Sequence, residues 1–173
     1  MNGPSFAPGL YLTIARASGW LALAALALTL CVTPLALLAA RSNARWLTRA
    51  PRLRRQLGMT SAWLALVHAG AATPHVYDAA HGALHRLIDT AHVRAGLSAL
   101  VVLVALLATS YPALVRALGV RPWKELHRLS YVAFAFALQH ALLSPFAPRL
   151  WLLALGGSVV AVGLLRLLGA RSR

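Results

Sequence analysis

Five long stretches of this chain carry no Asp, Glu, Lys or Arg: residues 17–40, 56–77, 95–115, 129–148 and 150–165. A bilayer's hydrocarbon core is about 30 Å thick and takes roughly 20 apolar residues of helix to cross. In lipid no water satisfies the backbone, so a spanning segment must bond within itself as a helix or close into a barrel. Continuous apolar runs of this length, without alternation, predict helices. The expectation is an all-α integral membrane bundle, one domain over residues 1–173, with about five transmembrane helices near 17–40, 56–77, 95–115, 126–147 and 150–168. The last run is short, but Arg149 and Arg166 can snorkel to the two interfaces and extend its reach. The first is too long and too poorly flanked to read as a cleaved signal peptide.

Composition narrows function by exclusion. The chain is 60% hydrophobic and only 12% charged, against about a quarter charged in soluble globules. A net charge of +14 invites nucleic acid, but the cations are separated by apolar runs instead of covering a polar face. One cysteine, Cys31, permits neither a disulfide framework nor a zinc cluster, and no glycine-rich nucleotide fingerprint is present.

The cations set orientation. Arg41, Arg45, Arg49, Arg52, Arg54 and Arg55 follow the first run, and Arg116, Arg121, Lys124 and Arg128 follow the third. Arg171 and Arg173 lie at the C-terminus, whereas the second and fourth connections carry little net charge. Positive-inside bias therefore puts the N-terminus outside and the C-terminus in the cytoplasm, with attraction to anionic lipid as a further consequence. The second connection, 78–94, reads as a short outer amphipathic segment. Its His81, His85 and His92 lack the Cys or Glu partners of a metal site and read as solvated loop histidines.

Ionisable groups at membrane depth are costly and usually functional. His68 lies about twelve residues into the second helix and His140 about fourteen into the fourth. These helices climb in the same direction, so at about 1.5 Å per residue the imidazoles reach matching depth. Two chemistries fit: a pair of axial ligands on one haem iron, or hydrogen bonds that only bridge helices. A proton relay or substrate contact is a third possibility for the same residues. His127 precedes His140 by thirteen residues, an axial distance of about 20 Å that suits a second haem or a propionate contact. Thirteen steps of about 100°, however, leave the two side chains roughly 140° apart unless the helix is distorted between them. His75, after Pro74, reads as an interfacial histidine.

Trp123, Leu126, His127, Arg128, Leu129 and Tyr131 form a W-x-x-L-H-R-L-x-Y run, followed at the thirteen-residue spacing by His140. This run resembles the signature helix of the ferric reductase-like transmembrane family. Within that family the likeness is to haem-binding membrane subunits of bacterial periplasmic protein-methionine-sulfoxide reductase systems. Arg54, Arg55, Leu57 and Gly58 leading to Leu66 and His68 resemble a second helix of that group. Trp20 with Thr33, Pro34 and Leu35 resembles a third, and Thr109 with Ser110 falls where the group commonly ends a helix.

The resemblance implies a b-type haem on His68 and His140, with His127 in a second haem or its surroundings. It implies an inner-membrane electron-transfer subunit, a membrane cytochrome b, rather than a complete enzyme. Its periplasmic acceptor would be a methionine sulfoxide reductase catalytic subunit. Family members often carry an extra N-terminal helix or a cytoplasmic flavin domain, and neither pattern occurs in these 173 residues. Quinol, or a separate flavin reductase using FMN, is thus the expected donor. Two alternatives remain, a haem reductase of ferric iron or oxygen and a non-redox helical scaffold.

Overall fold

The computed structural model describes residues 8–39, 45–79, 90–144 and 147–171, and their regular structure is entirely helical. The elements are α1 (Pro8–Ala39), α2 (Arg45–Ala79), α3 (Ala91–Ala108), α4 (Pro112–Leu118), α5 (Val120–His127), α6 (Leu129–Leu143) and α7 (Arg149–Arg171). By length and composition, Gly9–Leu37 and Ala91–Ala108 qualify as membrane spans, and Arg149–Leu165 is a shorter apolar helix.

Two antiparallel pairs build the bundle, α1 with α2 and α3 with α6. The register of the first can be followed across the interface: His68 meets Ala15, Ser61 meets Ala22, and Arg54 meets Thr33. In the second, His140 meets His92 near one end, and His127, just before α6, meets Ser110 near the other. Helix α7 packs on α1, and Gly156 lets it close on Leu138 of α6. The shared core is Leu23, Leu26, Leu30, Leu103, Phe134 and Leu152 with small residues between them. Large apolar side chains such as Leu21, Val101, Leu150 and Trp151 face outward, which suits lipid.

Polar groups inside the bundle have partners on the backbone. Ser18 and Thr29 bond carbonyls one turn back in α1. Ser61, with none of its surface exposed, reaches across to the Ala22 carbonyl at 2.9 Å. Ser61→Ala removes this interhelical bond without leaving a buried donor. It is expected to cost about 1 kcal/mol, read as a small fall in the detergent-solubilised unfolding temperature.

Several boundaries differ from the sequence expectation. Residues 45–55, read as part of a basic loop, extend α2 instead. Charge ends a hydrocarbon span but not a helix, and Arg and Leu are good helix formers. The third span was expected to run to 115, yet α3 stops at Ala108. Tyr111 is extended (φ −72°, ψ 139°) before Pro112, the conformation a following proline enforces. Hydroxyl groups of Thr109 and Ser110 bond back to Ala105 and Leu106, closing that end. Gly119, at φ +78°, makes the bend between α4 and α5.

The fourth span is broken as well. At Arg128 the bonding shifts to i→i+3, with Arg128 N–H on Glu125 O and Tyr131 N–H on Arg128 O. Such a tight turn changes the helical phase by tens of degrees. It falls between His127 and His140, and both imidazoles reach partners on or just beyond α3. Most of the 78–94 connection, including His81 and His85, lies outside the described residues, as does the side chain of His75.

Candidate metal centre

His68 and His140 meet where the two helix pairs face each other. Their ring centroids are 5.8 Å apart and their planes cross at 75°. Each ring uses the same nitrogen in the same way. His68 Nδ1–H donates to the Ala15 carbonyl at 2.7 Å, and His140 Nδ1–H donates to the His92 carbonyl at 2.8 Å. A carbonyl only accepts, so Nδ1 carries a proton, and in the neutral imidazole the lone pair is then on Nε2. The helix-bridging bond and the metal-ligand role are therefore compatible in one residue, because they use opposite ring nitrogens.

The two carbonyls are open for a shared reason. Four residues after Ala15 stands Gly19, and four after His92 stands Gly96. In a helix the residue at i+4 lies over the carbonyl of residue i, where a side chain would crowd it. A Cβ on Gly19 would lie 2.8 Å from His68 Nδ1, and one on Gly96 2.7 Å from His140 Nδ1. Each imidazole thus occupies a notch made of a carbonyl and a glycine one turn later. The α1–α2 and α3–α6 pairs repeat the device.

The centroid separation of 5.8 Å agrees with that of two imidazoles sharing one iron. Two metal–imidazole bonds of about 2 Å, plus about 1 Å from each nitrogen to its ring centre, place axial imidazole centroids roughly 6 Å apart. Histidine ligands to metals characteristically give their second nitrogen to a carbonyl or carboxylate, which fixes tautomer and orientation.

His127 stands apart from this pair. Its Nδ1–H donates to the Trp123 carbonyl at 3.0 Å, and Nε2 faces the Ser110 hydroxyl at 3.3 Å. That hydroxyl has one proton and also lies 2.7 Å from the Leu106 carbonyl, so Nε2 is only weakly committed. Trp123 packs on the His127 ring at 4.1 Å and donates its indole N–H to Thr109 O. Arg54 is near enough to act electrostatically on His127, and it donates to Thr33 Oγ1 at 3.3 Å. Sequence reasoning placed His92 in a solvated loop. It lies instead in the first turn of α3, stacked on His140 with centroids 4.6 Å apart and planes 14° from parallel. The available signal was Thr90, a helix-capping residue type two positions earlier.

A family model described as ferric reductase like transmembrane component matches residues 18–138. That stretch contains His68 and His127 and stops just short of His140. Among curated proteins, the protein-methionine-sulfoxide reductase heme-binding subunit MsrQ of Herminiimonas arsenicoxydans is 35% identical over 73% of this chain and 56% of its own length. The proteins of the same name from Deinococcus radiodurans and Ralstonia nicotianae are 36% and 33% identical, over 71% and 73% of this chain and 58% and 56% of theirs. The chain therefore spans a little over half the length of these relatives. No solved structure matches it. With most of its length matched by the family model and relatives 35–36% identical over 71–73% of it, the chain belongs to the ferric reductase-like transmembrane family.

Proposed function

We propose that this chain is a membrane cytochrome b. In this reading it carries electrons from quinol or a flavin reductase across the bacterial inner membrane to a periplasmic methionine sulfoxide reductase catalytic subunit. The observation that carries the reading is the His68–His140 pair, with both Nδ1 protons committed to carbonyls and both Nε2 lone pairs left for a metal. The names of the relatives, heme-binding subunits of that reductase, support the same cofactor and partner.

His68 and His140 would hold the haem iron. Haem, when bound, supplies a one-electron iron couple that the side chains of this protein lack, and two nitrogen ligands favour electron transfer over oxygen binding. Ala15 and His92 carbonyls fix the ligand tautomers, and both rings are half-buried in the apolar bundle. His127 is the candidate ligand of a second haem at the opposite end, where Arg54 supplies a cation for a propionate.

The orientation proposed is five spans, N-terminus outside and C-terminus inside. Its support is that the basic start of α2 and the basic α4–α5 segment share one end of the bundle, the end of Arg54 and His127. The His92 end is then the outer one, where a periplasmic acceptor docks.

The test is a reduced-minus-oxidised optical spectrum of the purified protein with a pyridine haemochrome stoichiometry. A b-type spectrum with at least one haem per chain is expected, and colourless protein sinks the reading. Two haems per chain, one of them lost with His127→Ala, assign the second site. A single haem that survives this substitution restricts His127 to the surroundings.

A further inference from the structure

We propose that His92 is a positioning residue for the haem, holding the His140 imidazole by carbonyl and ring together so that the two axial planes stay crossed. The proposal rests on the reading of His68 and His140 as ligands. An axial imidazole turns easily about its metal–nitrogen bond. Its plane is therefore set by what engages the rest of the ring.

For His140 three constraints converge. The His92 carbonyl holds Nδ1 at 2.8 Å, and the Gly96 backbone lies against the ring edge, where a Cβ would come within 2.7 Å of Nδ1 and 3.0 Å of Cε1. The His92 ring covers one face, 4.6 Å away and 14° from parallel. Bringing His140 parallel to His68 means a rotation of 75°, which opens the stack and misaligns the Nδ1 bond together. His68 has the Ala15 carbonyl and the Gly19 notch, and its ring contact among the described residues is His140 itself. The two ligands are thus held unequally, and His92 is the source of the difference. Residue 92 serves twice because it sits in the first turn of α3, where a backbone carbonyl points along the helix and the ring folds back over the α6 neighbour.

Low-temperature electron paramagnetic resonance of the oxidised full-length protein reads this directly. Crossed imidazole planes give a strongly anisotropic low-spin ferric signal dominated by one large g value, and parallel planes give a rhombic three-line signal. Wild type is expected to show the first. His92→Ala keeps the carbonyl and removes the ring. It is expected to retain haem content while the signal broadens or moves toward the rhombic form. His92→Phe restores a stacking face and is expected to restore the wild-type signal, a rescue that a general packing role does not produce at constant haem content.

A rhombic wild-type signal overturns the proposal, and so does a His92→Ala signal identical to wild type. Loss of haem from both variants makes His92 a ligand and overturns it too. If His92→Ala alone loses haem, a wild-type signal in His92→Phe supports the proposal and a rhombic one overturns it. Colourless wild-type protein is a different failure, that of the haem reading itself.

Discussion

His68→Ala and His140→Ala are each expected to abolish the same haem absorption, leaving a protein that still inserts and folds. One iron shared between two helices needs both nitrogens, and either deletion leaves it half-ligated. Removing only an outer partner of a metal ligand costs about 10- to 100-fold in affinity or activity. Loss of the ligand itself is expected to exceed that and to deplete the haem through purification. A sharper version separates ligation from helix bridging. His68→Gln keeps an N–H donor that can reach the Ala15 carbonyl, now held by His68 Nδ1 at 2.7 Å, but offers iron no imidazole. If bridging is all His68 does, this variant behaves as wild type by thermal unfolding and by spectrum. The ligand reading predicts that the haem is gone and that the unfolding temperature falls to that of haem-free wild type, with the bridge kept. Measuring haem per chain and unfolding temperature on the same preparations distinguishes the two.

The histidine pair was legible because depth along a helix is arithmetic: about 1.5 Å per residue from a charged boundary puts His68 and His140 at one level. Which face each presents was not legible, since that depends on the helices opposite. The sequence could offer ligation or bridging but had no means of seeing that the bridge uses Nδ1 and leaves Nε2 out of it. The same dependence hid the notches. Gly19 and Gly96 are ordinary glycines until an imidazole arrives from α2 or α6.

His92 and residues 45–55 were misread for one shared reason, the use of charge as a helix boundary. Arg94 and Arg55 bound the apolar runs, yet α3 starts ahead of Arg94 at Ala91 and α2 begins a full ten residues before Arg55. Backbone hydrogen bonding continues into the headgroup region, where arginine is comfortable and helix propensity still acts. By contrast, the ideal-helix angle between His127 and His140 left two outcomes open, a local distortion or side chains on different sides of the helix. The structure has a local distortion, the i→i+3 turn at Arg128.

The glycine notches carry the second large prediction. Gly96→Ala places a methyl group 2.7 Å from His140 Nδ1 and 3.0 Å from Cε1, distances at which something must move. The ring, anchored in a packed neighbour, can retreat only by lengthening its bond to the His92 carbonyl. Overpacking of this kind costs about 1–3 kcal/mol, while alanine in a helix interior gains about 0.8–1 kcal/mol over glycine. Global stability is therefore expected to fall by no more than about 2 kcal/mol, a balance of these terms. Haem retention should suffer far more, by about 10- to 100-fold, because the orientation of the axial nitrogen is what is displaced. Gly19→Ala, with its methyl 2.8 Å from His68 Nδ1, is expected to act alike from the other side. Gly157→Ala is the internal reference, since a Cβ there meets nothing within 4 Å; it should gain stability by about 1 kcal/mol or less and leave haem content unchanged. Equal haem content in Gly19→Ala, Gly96→Ala and Gly157→Ala would show that the imidazoles are free to shift. The metal centre would then owe its geometry to the iron rather than to the two carbonyl–glycine notches.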